Sequence, residues 1–185
     1  MLLPLHEKAL LDKLFRHGLM EINSRRKIVK SLALGSGLDN WQKVMYRVFE
    51  HPEILDEHIK LKTGVYSDEE IAILKSWRDH FILGNFAVLR DTSKYALLMS
   101  IGAKEDRVYG VVSINDSITK ILPYTPAIIN TTILPFCNKI VFTGILKFVD
   151  KRFSGEELEA LNLMYTSLKN RYGIVASLPY KSKKI

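Results

Sequence analysis

The N-terminal part of the chain repeats apolar residues at the spacing of amphipathic helices. Leu11, Phe15 and Leu19 recur close to a 3.6-residue period, which places them on one face of a first helix. Ser67 and Glu70 form an S-x-x-E capping-box pattern, which is typical of a helix start. The predicted helices cover residues 6–22, 24–34, 39–48, 52–63 and 67–81. The pattern therefore predicts that residues 1–83 are helical.

After residue 84 the helical spacing gives way to short β-branched runs that are separated by turn residues. The predicted strands cover residues 86–91, 94–102, 107–114, 126–136 and 139–149. Asp91, Thr92 and Ser93 form a hairpin turn between the first two strands, and Cys137 with Asn138 joins the last two. These runs predict one sheet, and the apolar pair at 126–149 supplies its central strands.

One more helix and a short strand complete the predicted elements. Ser154 and Glu157 repeat the capping-box pattern, and Gly173 ends the helix that follows. Its apolar stripe, which we expect to lie on the sheet, consists of Leu158, Leu161, Tyr165, Leu168 and Tyr172. Residues 174–179 form a last strand, which would run parallel to the 139–149 strand through a right-handed crossover if the two strands are adjacent.

Together these elements predict an α+β protein. A helical N-terminal half is followed by a mostly antiparallel β-sheet, which is backed by one C-terminal amphipathic helix. We place the boundary between a helical subdomain, residues 1–83, and a β-rich subdomain, residues 84–185. A composition with 47% hydrophobic and 25% charged residues is that of a globular protein and excludes a disordered chain.

Cysteine content and hydropathy predict the compartment. Cys137 is the only cysteine, so no intramolecular disulfide forms, as is usual in a reducing compartment. The first 13 residues lack the basic and apolar regions of a signal peptide, because Pro4, His6 and Glu7 interrupt the apolar run. No uninterrupted apolar run reaches the length of a transmembrane helix. We therefore expect a soluble, cytoplasmic protein that does not bind membranes.

The net charge of +7 makes nucleic acid a candidate partner. Residues 84–185 hold 14 Lys and Arg against 8 Asp and Glu, net +6, and three of these lysines lie at 181, 183 and 184. In the predicted helix at 24–34, Arg25, Arg26, Lys27 and Lys30 are placed to contact phosphates. The short helix before the Gly-Ser-Gly turn loosely resembles a helix-turn-helix. A solvated basic face explains the same residues.

Residues that carry catalysis or bind metals are sparse. Cys137 lies in a turn with Lys139 nearby to lower the pKa of the thiol, but no histidine follows His80 to act as its base. A semi-buried apolar cysteine explains this residue equally well. His51 and His58 flank three carboxylates, yet the H-E-x-x-H spacing of helical zinc sites is absent. We expect no metal, no cofactor and no enzymatic activity.

The last half of the chain resembles a family of uncharacterised bacterial proteins. The family's LPF-x-x-KI-x-x-x-G-x-L segment stands here from Leu134 to Leu146, and its GI-x-x-SLP ending stands from Gly173 to Pro179. The family usually has Lys-Gly where this chain has Cys137 and Asn138, and Tyr-Asp at positions 142–143. These motifs are structural, so the resemblance implies a shared fold and transfers no function.

Three functions remain open at the level of the sequence. The first is a non-enzymatic binding or regulatory module with an unidentified protein partner, for which an exposed sheet edge offers a docking mode. The second is a nucleic-acid-binding protein that uses the basic helix and a basic sheet surface. The third is a hydrolase-like enzyme, which lacks both the G-x-S-x-G elbow and a phosphate-binding loop.

Overall fold

The computed structural model describes residues 2–33 and 35–179, which form two compact units. Pro4–Leu83 make up a helical unit, and residues 2–3 join residues 84–179 in a sheet unit. Leu3 belongs to the sheet unit because its amide donates to the Ser113 carbonyl at 3.2 Å. The predicted basic tail at 181–184 lies outside the described residues. No helix among them has both the length and the hydropathy needed to cross a bilayer.

The helical unit consists of four helical segments joined by short turns. The first is interrupted by a π-helical turn, so its parts are α1 (Leu5–Asp12), the π turn (Lys13–His17) and α2 (Gly18–Arg26). The others are α3 (Leu38–Glu50), α4 (Pro52–Lys62) and α5 (Asp68–His80). The predicted capping box at α5 is confirmed: the Ser67 hydroxyl accepts from Glu70 N at 3.2 Å, and Glu70 Oε2 accepts from Ser67 N at 3.0 Å.

The prediction of a separate helix at 24–34 is wrong. Ser24 lies inside α2, which ends at Arg26 because Lys27 adopts a left-handed conformation with φ 54°. The buried Asn23 side chain then holds the following segment: its amide donates to the Val29 carbonyl at 3.1 Å, and its Oδ1 accepts from Val29 N at 2.8 Å. These two bonds give residue 29 the partners that a helix would have supplied.

Six strands and two helices form the sheet unit. They are β1 (Ile82–Asp91), β2 (Ala96–Ile101), β3 (Val108–Ser113), α6 (Ile118–Ile121), β4 (Ala127–Phe136), β5 (Lys139–Val149), α7 (Gly155–Tyr172) and β6 (Ile174–Val175). Five of the strands close into a ring in the order β1-β2-β3-β5-β4 and back to β1. The pairs β1–β2, β2–β3 and β4–β5 are antiparallel, so the predicted mostly antiparallel α+β arrangement is confirmed.

The condition for a parallel pair between the last strand and the 139–149 strand is not met, because the two strands are not adjacent. β6 lies parallel to β3, at Val108 and Tyr109, and does not pair with β5. β5 also runs parallel to β3, and it pairs with the C-terminal part of that strand, from Val111 to Ser113. β3 therefore pairs with β2 on one edge and with both β5 and β6 on the other. This sharing limits β6 to two residues, because β5 already occupies the rest of that edge.

Successive side chains along each strand point alternately to the inside and to the outside of the ring. The rings of Phe86 and Tyr109 meet inside it, with centroids 6.0 Å apart. The outer face of β1, β2 and β3 is also apolar, and α7 covers it. The buried residues of this second cluster are Ala87, Leu97, Met99, Val108, Leu161 and Tyr165. The predicted position of the α7 stripe on the sheet is therefore confirmed.

The strand order resembles that of the oligonucleotide- and oligosaccharide-binding fold, a five-stranded Greek-key barrel. Such barrels bind ligands on the face of their second and third strands. In this chain that face is apolar and lies under α7. That face is therefore not exposed to solvent.

Gly110 on β3 is required by close packing of the Tyr95 ring. A Cβ atom at position 110 would lie 2.8 Å from the ring carbons of Tyr95, well inside van der Waals contact. Tyr95 itself packs against the cluster under α7. The glycine thus lets an aromatic side chain lie flat on the strand.

Gly110→Ala is expected to lower the free energy of unfolding by about 1–3 kcal/mol, because the Tyr95 ring must leave its position. Urea denaturation measures this loss. Gly84→Ala is the matched control, since its Cβ meets no atom within 4 Å. In a double-mutant cycle Tyr95→Ala should remove most of the Gly110→Ala penalty. Additive losses in the two variants would contradict this packing.

Candidate functional site

The helical unit encloses an apolar cavity that has one polar group in its wall. The cavity leaves room for roughly one water molecule. Its lining residues are Leu14, Phe15, Gly18, Leu19, Ile22, Val48, Phe49, Leu55, His58, Leu74 and Trp77. The Phe15 and Trp77 rings meet edge to face with centroids 6.0 Å apart. Within this set only His58 carries a polar side-chain atom at a fully buried position, apart from the Trp77 indole.

The π turn supplies one side of this cavity. A π turn widens the helix by one residue, and such turns occur frequently at functional sites. Here the turn buries Leu14 and Phe15 side by side, and Gly18 follows directly. A Cβ on Gly18 would lie 3.6 Å from His58 Nε2. The bare glycine therefore keeps open the space beside the imidazole.

His58 has a defined tautomer in this setting. Its Nδ1 lies 2.9 Å from Arg25 Nη2, and a guanidinium only donates hydrogen bonds. Nδ1 must therefore accept, so the proton of the neutral ring is on Nε2. Nε2 is buried and has no hydrogen-bond partner within the described structure. The cavity is thus faced by an N–H donor without an acceptor.

Burial and neighbouring charges keep the imidazole neutral. Desolvation, together with the positive charges of Arg25 and Lys62, lowers the pKa of His58 to about 4, against a smaller opposing effect of Glu21. Protonation would also turn the Nδ1 acceptor into a donor facing Arg25. The ring is therefore uncharged throughout the physiological pH range.

Charged side chains surround Tyr66, whose ring stands edge to face with His58 at a centroid distance of 6.2 Å. The ammonium groups of Lys13 and Lys62 lie 5.1 and 5.2 Å from the Tyr66 centroid. Lys13 donates to Glu70 at 2.5 Å, and this bond is the main reason that the pKa of Glu70 is lowered. The π turn is thus tied to the capping box of α5.

The four basic residues predicted to contact nucleic acid do not share one helix. Arg25 and Arg26 end α2, Lys27 is the left-handed residue after it, and Lys30 lies in a bend. Arg25 donates to His58, and Arg26 pairs with Glu57. The structure therefore bonds Arg25 to His58, which lines the cavity, and leaves Lys27 and Lys30 on the exposed surface.

Cys137 and Lys139 lie where the sequence predicts them, at the β4–β5 turn. Cys137 is exposed, and both Cys137 and Asn138 have positive φ, 47° and 57°. Two such residues form a type I′ turn, which matches the twist of the hairpin. Asparagine tolerates this conformation well, so Asn138 fills the place of the glycine that the resembling family has there.

The two histidines of segment 51–58 do not come together at one site. His51 precedes α4 and contacts Glu53 and Arg47, whereas His58 faces the cavity. In residues 2–33 and 35–179 no three His, Cys, Asp or Glu side chains are grouped to hold a metal ion.

A second polar cluster lies in the sheet unit where β5 leads into α7. The Arg152 guanidinium lies 4.9 Å from the Tyr124 centroid, and the Phe148 ring meets Tyr124 edge to face at 5.5 Å. The Tyr124 hydroxyl donates to Asp150 at 3.0 Å. The cluster thus combines an exposed cation with two half-buried aromatic rings, a combination that also occurs in nucleic-acid recognition.

Neither the cavity beside His58 nor the cluster of Tyr124, Phe148 and Arg152 was predicted from the sequence. For His58 a signal was present, because the residue shares the apolar stripe of α4 with Ile54, Leu55 and Ile59. A polar residue inside such a stripe indicates a buried, specifically bonded side chain. The π turn has no comparable signal, and Tyr124 meets Arg152 only through the strand pairing of β4 and β5.

No protein-family model, curated protein or solved structure matches this chain. The resemblance to the uncharacterised bacterial family therefore stays a prediction.

Stability should fall when the pH decreases from about 6.5, the unfolded pKa of histidine, to 4. In this interval the unfolded state binds a proton at residue 58 that the folded state does not bind, so unfolding is favoured as the pH drops. The contribution of His58 amounts to about 3 kcal/mol at most. Urea denaturation of the original chain and of His58→Gln across this pH range measures that contribution.

His17→Gln is the matched control, because its ring is exposed. His58→Gln should flatten the pH dependence, and the comparison with His17→Gln separates this effect from the loss of a surface histidine. A His58→Gln variant with the same acid destabilisation as the original chain would show that residue 58 does not titrate as described.

Proposed function

We propose that the chain is a binding module without catalytic activity, and that its sheet unit binds single-stranded nucleic acid. The observation that carries this proposal is the exposed Arg152 guanidinium, whose central carbon lies 4.9 Å from the Tyr124 ring centroid, with Phe148 beside the same ring. A guanidinium next to an aromatic ring has N–H donors for phosphate, and aromatic rings are suited to stacking with bases.

The strand directions place several connections at the same end of the barrel. β1, β3 and β5 all run toward it, so the segments 92–95, 114–126 and 150–154 meet there. We name this end the carboxyl end of the barrel. Its three segments carry four Lys and Arg against two Asp, whereas the loops at the other end, 102–107 and 137–138, carry two of each sign. Asp91, the last residue of β1, also lies at the carboxyl end because it accepts from Ser117 and Thr119. The site is therefore defined by which cations are free of carboxylate partners and not by an excess of net charge.

Three of these cations have no carboxylate partner in the described part of the chain. Lys94, Lys120 and Arg152 are exposed and take part in none of its ion pairs. Asp150, the acidic residue beside Arg152, is bonded to the Tyr124 hydroxyl. Exposed unpaired cations exchange their counterions for phosphates, which favours the binding of a polyanion.

The resemblance of the barrel to oligonucleotide-binding folds supports the ligand class but carries no function by itself. The usual binding face lies under α7, so the proposed site uses the carboxyl end instead. The basic segment at 25–30 has no role in this proposal, since Arg25 and Arg26 already contact His58 and Glu57.

A fluorescently labelled single-stranded oligonucleotide should bind the full chain in an anisotropy titration at low salt, and affinity should fall steeply as salt is added. Lys120→Gln and Arg152→Gln should each weaken binding. Removing one phosphate contact should also reduce the slope of log affinity against log salt by about 0.7. Tyr124→Leu should weaken binding with little change in that slope, because it removes stacking and not charge.

Lys104→Gln is the matched control, since Lys104 is an exposed lysine at the opposite end of the barrel. It should bind as tightly as the original chain. Equal losses in the Lys104 and Lys120 variants would indicate non-specific attraction by net charge. Absence of binding at low salt would overturn nucleic acid as the ligand and leave a protein partner as the binding module's target.

A further inference from the structure

The unpartnered Nε2–H of His58 indicates a ligand site in the helical unit. A buried donor without an acceptor costs free energy, and native structures leave few such groups unpaired. His58 is fully buried and held in place through its other nitrogen by Arg25. The donor is therefore fixed in direction, and it is aimed into the cavity that its ring lines.

The shape of the cavity limits what can pair with this donor. The remaining wall is apolar, apart from the indole of Trp77, and the space admits roughly one water-sized group. A charged ligand would lose its hydration without a counter-charge in the wall. The occupant must therefore be small and uncharged, and it must present a hydrogen-bond acceptor.

We propose that the cavity binds a small uncharged molecule whose oxygen accepts a hydrogen bond from His58 Nε2. A water molecule and a small alcohol or carbonyl compound share this chemistry. Gly18 leaves the space for the oxygen, because a Cβ there would take up ordinary contact with Nε2 at 3.6 Å and fill it. The π turn positions Gly18 and Phe15 around the same space.

The site is independent of the proposed nucleic-acid surface. All of its lining residues belong to the helical unit, whereas Arg152 and Tyr124 belong to the sheet unit. Failure of either proposal thus leaves the other in place.

NMR of the full chain with 15N-labelled histidine tests the site at the Nε2–H resonance of His58. An occupying water should give this proton a cross-peak with a long-lived bound water. Methanol, which carries one oxygen and one methyl group, should shift the resonance to saturation if small organic molecules enter. Xenon, which has no acceptor, serves as the apolar comparison and should not reproduce that shift.

Gly18→Ala is the decisive variant because it fills the space without strain. The alanine gains helix propensity but leaves Nε2–H without its acceptor, so these opposing effects should keep the unfolding temperature within a few degrees of that of the original chain. The alanine should also abolish both the water cross-peak and the methanol response. Gly155→Ala, whose Cβ meets no atom within 4 Å, is the matched control and should leave both signals unchanged.

The outcomes separate the two sources of the oxygen. A bound-water cross-peak without a methanol response supports the site and assigns the acceptor to water. A saturable methanol response supports it and extends the ligand class to small organic molecules. The proposal is overturned if neither signal occurs, if His58 carries its proton on Nδ1, or if Gly18→Ala responds as the original chain does.

Discussion

Closure of five strands into a ring is the constraint on which the sheet unit depends. An open sheet leaves unpaired backbone groups along its edges, whereas here β1 pairs with β4 and β3 pairs with β5. Closure requires β5 to run parallel to β3, and this direction brings the segments 92–95, 114–126 and 150–154 to one end. The presence of Lys94, Lys120 and Arg152 at the same end of the barrel is thus a consequence of topology, because the three segments that carry them are separated from one another along the chain.

The helical unit depends on a different interaction, the hydrogen bond between Arg25 and His58. It fixes the ring, determines the tautomer and makes protonation unfavourable, because both partners would then be donors. A buried polar group of this kind is tolerated when it is bonded on at least one side. The π turn and Gly18 leave the second side open to a small cavity. The Arg25 contact therefore explains the neutrality and the orientation of the imidazole, and the π turn with Gly18 explains the space beside Nε2.

Most of the architecture was predictable because local rules determine it. The capping boxes at Ser67 and Ser154, the α7 stripe and the hairpin turn at Cys137 all follow from short-range preferences. The wrong helix at 24–34 shows where these rules fail. The basic residues there have good helix propensity, but the buried Asn23 side chain bonds the backbone of Val29 and competes with the helix. The sequence also left the partner of β6 open, since strand adjacency is not encoded locally.

The sequence by itself therefore determined most of the helices and strands, which of their faces are apolar, and that most of the net positive charge lies after residue 84. It did so because periodicity and capping involve residues a few positions apart. Only the tertiary structure decided that the strands close into a ring, that α7 covers the outer face of β1–β3, and that Arg152 meets Tyr124. It also decided that His58 faces a cavity. Each of these facts joins residues from distant segments, and only long-range packing selects such contacts.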